Sequence, residues 1–331
     1  MSAKYSRIIS TGSALPAARI TNEDLARRLA ADGIETSDEW IRTRTGIEAR
    51  RFVNGTTETT TTLAAAAAQK ALEGGGVDPK TIDLIIVATT TPDQVFPSTA
   101  AAVQRLIGAV GCAAFDVQAV CAGFNYALNA ADAMLRAGPY QRALVIGAET
   151  MSRVVDMKDR ATCVLFGDGA GAVVLEASAK PGILAARMYA DGSYDENVLG
   201  LTARIDHGEL CGRPYINMDG RQVFKLAVDG LTSSAQEVAV LAGVDPQDVD
   251  VYIPHQANLR IMTMVAKKLG IPDERMIKTV SEQGNTSAAS VPLALDEAVR
   301  SGKISDGSLV LLQAVGAGMA WGSAIVRWRS E

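Results

Sequence analysis

Asp-Ala-Met-Leu-Arg-Ala-Gly, at Asp132–Gly138, returns later in the chain as Asp-Glu-Ala-Val-Arg-Ser-Gly, at Asp296–Gly302. Each of the two segments ends a helical pattern at a glycine. Strand-like runs flank them in the same order and at a nearly constant spacing. These runs are Asp83–Val87 with Asp250–Pro254, and Leu144–Ile146 with Val310–Leu312. Chance similarity is the alternative, but three elements in one order favour two similar halves packed face to face.

Short apolar runs alternate with helical patterns along the chain, which predicts an α/β fold. The predicted buried strands are Leu84–Ala88, Ala143–Gly147, Gly171–Leu175, Leu309–Gln313 and Ala324–Trp328. Helices are predicted from a cap at Thr21 to about Gly33, and over Leu63–Leu72, Phe124–Ala137, Leu259–Leu269 and Leu293–Arg300. The polar stretch Arg204–Tyr215 is predicted to be an exposed loop, and Pro181-Gly182 to separate the halves.

Composition excludes several classes of protein. The 331 residues are 48% hydrophobic, which is too apolar for a disordered chain. A formal net charge of −5 argues against a globally basic nucleic-acid binder. The chain shows neither a signal peptide nor an apolar run of the roughly 18 residues that a membrane helix needs. We therefore expect a cytoplasmic protein that contacts neither nucleic acid nor membrane.

The sulfur and imidazole content is low. Cysteine occurs four times, without a C-x-x-C pair, at Cys112, Cys121, Cys163 and Cys211. Without export these should be free thiols, and with only two histidines a structural zinc site is improbable. No metal site is predicted.

Cys121 stands where a strand-like run, Ala114–Val120, gives way through Ala122-Gly123 to a helical pattern. A sulfur at a helix N-terminus gains from the backbone N–H groups and the helix dipole, which should lower the pKa of its thiol. A thiolate attacks thioesters well and is also a good thioester leaving group. A buried, inert cysteine is the equally weighted alternative here. The other three cysteines lack this setting, and for them the inert interpretation is favoured.

His255 and Asn285 are the other candidates. His255 follows a strand and precedes a helix, and strand ends of α/β sheets are where ligands bind; a structural histidine is the alternative. The spacing between the two repeated Asp-to-Gly segments, applied to Cys121, leads to Asn285, so the repeat makes them counterparts and places both at a central cleft. The alternative role of Asn285 is a helix cap. In Gly316-Ala317-Gly318, a backbone N–H could face a reacting carbonyl.

Five motifs together resemble the 3-oxoacyl-[acyl-carrier-protein] synthase III family of the thiolase superfamily. The resemblance runs from about Ile8 to Trp328, and the motifs are Thr36–Ile41, Thr43–Ile47, Val120–Phe124, His255–Arg260 and Gly284–Ser290. It implies the thiolase fold, an internally duplicated five-layer α-β-α-β-α unit that usually forms homodimers. Residues 1–180 would form the half with the cysteine, and residues 181–331 the half with the histidine and asparagine.

The resemblance also implies a reaction. Cys121 takes a short acyl group from acyl-CoA; His255 and Asn285 then stabilise the enolate that forms as malonyl-acyl-carrier protein loses CO₂. Attack on the acyl-cysteine gives 3-oxoacyl-carrier protein, and the N–H groups of Cys121 and Ala317 hold the second oxyanion. No cofactor is implied, because acyl-CoA is a substrate. The family usually has three glycines at 316–318, so Ala317 fits only if its φ is not positive.

Family positions imply three further groups of residues. The CoA nucleotide would meet Trp40, Arg44 and Arg160. The acyl pocket would include Phe96, reaching across a dimer, with Phe166 and Phe224. The acidic carrier protein would meet a basic patch, Lys225, Arg260, Lys267 and Lys268. Two other functions remain open: a polyketide synthase that extends with malonyl-CoA, and a non-catalytic acyl-binding member of the fold.

Overall fold

The computed structural model describes residues 5–329, and within them the helices and strands alternate as expected. The helices are α1 Asn22–Ala31, α2 Asp38–Thr45, α3 Thr60–Gly75, α4 Thr99–Ile107, α5 Gly123–Ala137, α6 Arg160–Cys163, α7 Gly220–Ala242, α8 Leu259–Leu269, α9 Val280–Gln283 and α10 Ser290–Arg300. The strands are β1 Tyr5–Ala14, β2 Ala18–Thr21, β3 Ala49–Phe52, β4 Leu84–Ala88, β5 Ala113–Val117, β6 Arg142–Thr150, β7 Asp168–Ser178, β8 Ile183–Ala190, β9 Leu199–Gly200, β10 Arg204–Asp206, β11 Glu209–Cys211, β12 Asn217–Met218, β13 Val251–Pro254, β14 Leu309–Gly316 and β15 Ala320–Arg327.

The two large sheets share one topology. The first has the order β1-β7-β6-β4-β5, and the second, read in the same direction, has β8-β15-β14-β13. In both sheets the first three strands are antiparallel to their neighbours and the next pair is parallel. The position that β5 takes in the first sheet is matched in the second sheet by a single parallel bridge, between Tyr252 of β13 and Met276. The internal duplication is therefore confirmed, while the division at residue 180 into two domains stays a prediction.

Side-chain alternation builds five layers. In β4, Leu84 and Ile86 join the central core together with α5, α10 and the second sheet, whereas Ile85 and Val87 face α3 and α4. On the other side of the molecule, α7 and α8 cover the second sheet through a third apolar cluster. Helices α5 and α10 thus form the middle layer between the two sheets. Among residues 5–329, no helix combines the length and apolar character needed to cross a bilayer.

Each central helix is preceded by a similar tight turn. Val120–Ala122 precedes α5 and Ser287–Ala289 precedes α10, and each is a single turn of 3-10 helix. Both begin with a non-glycine residue at positive φ, Val120 at 48° and Ser287 at 50°. Because such residues are uncommon, the two turns align on them and fix the register of the repeat at this point. Val120 then corresponds to Ser287, and the structural counterpart of Cys121 is Ala288.

The assignment of Asn285 as that counterpart was wrong. The expected alignment came from Asp132 and Asp296, but Asp132 lies nine residues into α5 and Asp296 only six into α10. The difference of three residues is close to one helical turn of about 3.6 residues, so the amphipathic pattern hides it. Asn285 instead lies just before the second turn.

Most predicted elements are present, and the departures have physical reasons. Strand β4 and helix α8 match their predicted bounds, and Thr21 caps α1 with a reciprocal bond to Asp24. The polar stretch predicted as a loop is exposed, but part of it pairs as the short ribbon β10–β11. The long helix α7 was not predicted. Its interior Gly230 breaks the helical signal, although an added Cβ would only make ordinary contact with the Trp321 ring, at 3.4 Å.

Candidate active site

Cys121 lies in the turn between β5 and α5. The positive φ of Val120 is a conformation that a β-branched residue rarely adopts, so surrounding packing must hold it. The turn places the thiol just before Gly123, where α5 begins, and leaves the side chain almost fully buried. The sequence prediction of a strand-to-helix turn at this cysteine is correct.

The end of strand β14 passes very close to this turn. A Cβ built on Gly316 would lie 2.6 Å from the Cys121 nitrogen and 2.8 Å from the Ala119 oxygen. Any side chain at this position would force the two backbones apart. Gly316 thereby lets the second half of the chain reach the thiol turn of the first half.

The predicted lowering of the Cys121 pKa is not what the surroundings produce. Burial removes water from the thiolate and raises the pKa of the thiol to about 12. The Ser287 hydroxyl and the backbone N–H oppose this rise, and the carboxylate of Glu149 adds to it. Desolvation is the largest of these influences, so burial favours the protonated thiol in the free protein.

Glu149 is a buried carboxyl that sequence reasoning missed. It lies at the end of strand β6 next to Thr150 and has no exposed surface. The Thr90 backbone N–H donates to it at 3.1 Å, the Thr91 hydroxyl at 2.5 Å and the Ser287 hydroxyl at 3.1 Å. Burial raises the pKa of this carboxyl, and the hydrogen bonds counteract that rise. Because these partners are distant in sequence, only the run Thr89-Thr90-Thr91 could have hinted at the site.

His255 follows strand β13 and is held by both its backbone and its ring. Its backbone N–H donates to the Gln313 carbonyl at 2.7 Å, and its ring Nδ1 lies 2.5 Å from the Ser290 hydroxyl. The residue is 5% exposed, and burial lowers the pKa of the imidazole to about 3. His255 is therefore neutral at pH 7. Its Nε2 has no hydrogen-bond partner within residues 5–329.

Asn285 is anchored on three sides. Its backbone N–H donates to the Leu165 carbonyl at 2.8 Å, and its own carbonyl accepts from the Gly167 N–H at 2.9 Å. Its side-chain oxygen accepts the Ser287 N–H at 2.9 Å. Since the oxygen is engaged, the amide NH₂ is left to donate, and it has no acceptor in the described part of the chain. The asparagine is not a helix cap, because α10 begins only at Ser290.

The backbone conformation of Ala317 accommodates a β-carbon. Positive φ occurs at Gly318, 67°, and at Met319, 40°, but not at Ala317. The alanine that replaces the family's usual glycine therefore causes no strain. No acceptor within residues 5–329 takes its N–H.

One cavity collects these groups. It has a volume of about 1160 Å³ and is bordered by Cys121, His255, Asn285 and Ala317. Two neutral donors and a thiol thus border one space with a mostly apolar lining, in which hydrogen bonds to a developing charge are strong. The cysteine and the other two side chains come from opposite halves of the duplicated fold. Within residues 5–329 no group of three or more acidic, histidine or cysteine side chains is placed to hold a metal ion.

Known proteins match over most of this chain. The family models for 3-oxoacyl-[acyl-carrier-protein (ACP)] synthase III and for its C-terminal region match residues 115–192 and 240–328. The chain is similar to the crystal structure of 3-oxoacyl-[acyl-carrier-protein] synthase III from Aquifex aeolicus, with 48% identity, a TM-score of 0.90, and coverage of 98% of this chain and 100% of that one. The chain belongs to the 3-oxoacyl-[acyl-carrier-protein] synthase III family. Its fold is the thiolase fold of that family.

Two further solved structures extend the comparison. The synthase III from Pseudomonas aeruginosa PAO1 is 38% identical, with a TM-score of 0.90 and 98% of each chain covered. A priming β-ketosynthase of the R1128 polyketide biosynthetic pathway is 36% identical, with a TM-score of 0.91 and coverage of 98% of this chain and 97% of that one. Synthase III members and a polyketide priming enzyme thus share this chain's architecture to nearly the same degree.

The residues expected at the CoA nucleotide lie together at the surface. The Arg44 and Arg160 guanidinium groups lie 4.6 and 4.5 Å from the centroid of the half-buried Trp40 ring. Arg160 also donates to the Glu35 carbonyl at 2.7 Å. The cluster combines one aromatic ring with two cations that lie over it, and these are groups that can bind a purine and its phosphates.

The expected acyl-pocket residues divide into two sets. Phe166 and Phe224 border the cavity. Phe96 does not border it and is 83% exposed, next to Val95 at 73%. Such exposed apolar side chains fit a role outside their own subunit, as the family position implies.

The expected basic patch is exposed on two neighbouring helices. Lys225 lies on α7, while Arg260, Lys267 and Lys268 lie on α8. Of these four cations Lys268 is paired, at 3.3 Å from Asp229. The other three have no salt bridge within residues 5–329, so they are free to meet an acidic partner.

Proposed function

We propose that this chain is the initiating condensing enzyme of fatty-acid synthesis. It would transfer a short acyl group from acyl-CoA to Cys121 and condense it with malonyl-acyl-carrier protein. The observation that supports this most is the cavity shared by one thiol and two neutral donors from the two halves of the fold. Membership of the synthase III family supports the same substrates.

The first half-reaction is acyl transfer. The Cys121 sulfur attacks the thioester carbonyl, and the CoA sulfur departs and takes up the proton that the thiol gives away. Because burial keeps the thiol protonated, the proton must leave as the new bond forms. The N–H groups of Cys121 and Ala317 would hold the oxyanion of the tetrahedral intermediate.

The second half-reaction is decarboxylative condensation. As the malonyl group loses CO₂, negative charge moves to its thioester oxygen, and His255 and Asn285 would donate hydrogen bonds to that oxygen. The resulting carbanion attacks the acyl-Cys121 carbonyl and releases the cysteine with a 3-oxoacyl-carrier protein as product. A neutral imidazole suits this role, because it donates without protonating the carbanion. These steps require no metal and no organic cofactor, and we propose none.

Substrate binding follows from the two surface clusters. We assign Trp40, Arg44 and Arg160 to the CoA nucleotide, where stacking and cation–π contacts would hold the adenine. We assign the basic patch, Lys225, Arg260, Lys267 and Lys268, to the acidic carrier protein. On a chain of net charge −5, a local run of cations is what such a partner would need for encounter.

A homodimer is supported by an uncovered sheet edge. Strand β5 ends the order of the first sheet, and all five of its residues are only partly buried. Exposed apolar side chains lie in the neighbouring segments, with Val110 at 86% and Phe96 at 83%. Pairing of two copies at this edge would cover these side chains and carry Phe96 to the partner's acyl pocket.

The cytoplasm is the proposed location. All four cysteines are free, as expected in a reducing compartment. Acyl-CoA and carrier protein are substrates that the enzyme would meet there.

The proposal is tested by following the acyl group. Intact-protein mass spectrometry after incubation with acetyl-CoA should show one acetyl adduct on Cys121, and it should disappear when malonyl-carrier protein is added. Cys121→Ser should form no adduct, because an alcohol here lacks the nucleophilicity of sulfur. An acetyl adduct on Cys121 that remains after malonyl-carrier protein is added would instead support a non-catalytic acyl-binding protein.

The R1128 match favours a second candidate, a priming ketosynthase of polyketide synthesis. Both candidates would use the same cavity, so they must be distinguished by their primers and extenders. A panel of acyl-CoA primers tested with malonyl-carrier protein and with malonyl-CoA separates them. A strict need for the carrier and for acetyl-sized primers would favour fatty-acid initiation.

A further inference from the structure

Within residues 5–329, the hydroxyl of Ser290 is the only side-chain group that hydrogen-bonds to the ring of His255. Ser290 is the first residue of α10 and has no exposed surface. Its Oγ lies 2.5 Å from Nδ1 of His255 and also accepts the backbone N–H of Gln256 at 3.4 Å. A short hydrogen bond between two buried groups fixes the ring in orientation.

The number of hydrogens available decides whether Ser290 or His255 donates in this hydrogen bond. A serine hydroxyl has one hydrogen and two lone pairs, and the Gln256 N–H uses one lone pair. Within the described part of the chain, the acceptor that the hydroxyl hydrogen meets is Nδ1 of His255. If Nδ1 carried the hydrogen instead, the Ser290 hydrogen would be buried without an acceptor, which proteins avoid.

We propose that Ser290 is a positioning residue that holds His255 as the Nε2–H tautomer. The ring nitrogen left for the cavity is then a hydrogen-bond donor and cannot act as a base. The neutral state of His255 agrees, because a neutral ring carries one hydrogen only. The catalytic consequence of this tautomer rests on the proposed function. In that reaction His255 donates a hydrogen bond to the enolate oxygen during condensation and does not deprotonate Cys121.

The tautomer can be measured without any activity. The chain has two histidines, and His207 is 97% exposed at its side chain, so the ring signals of a ¹⁵N-histidine-labelled sample are readily told apart. Two-bond ¹H–¹⁵N correlation spectra at pH 7 should show His255 with hydrogen on Nε2 and a bare Nδ1. Hydrogen on Nδ1 in the native protein would overturn the proposal, whatever the enzyme's activity.

Variants test the role of the hydroxyl. Ser290→Ala should give a mixture of His255 tautomers and reduce condensation about 10–100-fold, the range known for removing the hydrogen-bond partner of a metal-ligating histidine. Acylation of Cys121 by acetyl-CoA should change less than about threefold, since the oxyanion N–H groups carry that step. Ser290→Thr, which keeps a hydroxyl, should restore the single tautomer.

Controls separate this role from general damage. Ser6→Ala removes another fully buried hydroxyl, one bonded to Asp132 at 2.8 Å, and should leave the tautomer and the condensation rate unchanged. If Ser290→Ala kept one Nε2–H tautomer, Ser290 would not be the group that sets it. If the tautomer were as proposed but no condensation occurred in the native protein, the proposed function would fail and this inference would stand.

Discussion

Cys121 experiences opposing influences that can be separated residue by residue. Burial raises the pKa of its thiol most, and the nearby Glu149 carboxylate raises it further. Glu149→Gln removes that charge, so the thiol pKa should fall and a larger fraction should be thiolate at a given pH. The rate of iodoacetamide alkylation should therefore rise earlier in a titration from about pH 7 upward than it does in the native protein.

The matched control for this change is Asp168→Asn. Asp168 is also a fully buried carboxyl, held by Ser152 and the Val53 N–H, and it is not among the groups that act on Cys121. Its variant should leave the alkylation profile in place. An unshifted profile for Glu149→Gln would mean that the carboxyl is neutral or lies too far away to matter, and a profile shifted to higher pH would contradict the raising effect of Glu149. Thermal unfolding of both variants measures the stability that is lost when a buried carboxyl is replaced by an amide.

At the scale of elements, the end of β14 packs against the turn that carries Cys121 and leaves no room for a side chain at Gly316. Gly316→Ala places a Cβ 2.6 Å from the Cys121 nitrogen, so the turn must move. Displacement of a reacting group by about 1 Å can cost about 100-fold in rate. Acylation and condensation should both fall by roughly that factor, as measured by separate half-reaction assays.

Gly192→Ala is the control for this substitution. A Cβ there meets no atom within 4 Å, and its φ is not positive, so both half-reactions should be unaffected. Full activity of Gly316→Ala would show that the site adapts to the side chain and that the turn does not require glycine at this position.

Helix α8 gives a second prediction at this scale. Arg260→Glu puts a negative charge in the basic patch, which should raise the apparent KM for malonyl-carrier protein by slowing encounter. Acylation by a CoA primer should barely change, and the effect should shrink as salt screens the charges. Lys80→Glu, a reversal at a lysine outside the basic patch, is the control. Equal damage to both half-reactions would assign Arg260 to CoA binding or to folding.

For the whole molecule, primer length should depend on the second copy. If Phe96 closes the partner's acyl pocket, the native enzyme should prefer acetyl-CoA to octanoyl-CoA. Overfilling a packed cavity costs about 1–3 kcal/mol, and about 1.36 kcal/mol is tenfold in rate. Phe96→Ala should therefore accept octanoyl-CoA about 10–100-fold better, measured as acylation of Cys121 across a primer series.

The oligomeric state must be measured on the same samples. Size-exclusion chromatography with light scattering should find a dimer for both the native enzyme and Phe96→Ala. An unchanged length profile in a dimeric Phe96→Ala would show that another group sets the limit, and Phe166 or Phe224, which border the cavity, would be the next to replace.

Sequence patterns predicted the duplicated fold and the approach of Cys121 and Asn285 to one central cleft. Local signals sufficed for β4, α8 and the cap at Thr21, because apolar periodicity and capping act over a few residues. Those signals could not supply the register between the two halves, since a shift of one helical turn preserves the pattern. The environment of Glu149 and the high pKa of Cys121 depend on burial and on contacts between distant segments, which no local pattern encodes.

The most direct test of the central claim separates the two half-reactions in His255→Ala and Asn285→Ala. In the proposed reaction both side chains donate to the enolate oxygen, and losing one such donor typically costs about 100–1,000-fold. Each variant should still acquire an acetyl group on Cys121 at close to the native rate, seen by rapid-quench mass spectrometry, while its condensation with malonyl-carrier protein falls by that factor. Variants that lose acylation instead, and condense normally once acylated, would contradict the account and assign His255 and Asn285 to activation of the thiol.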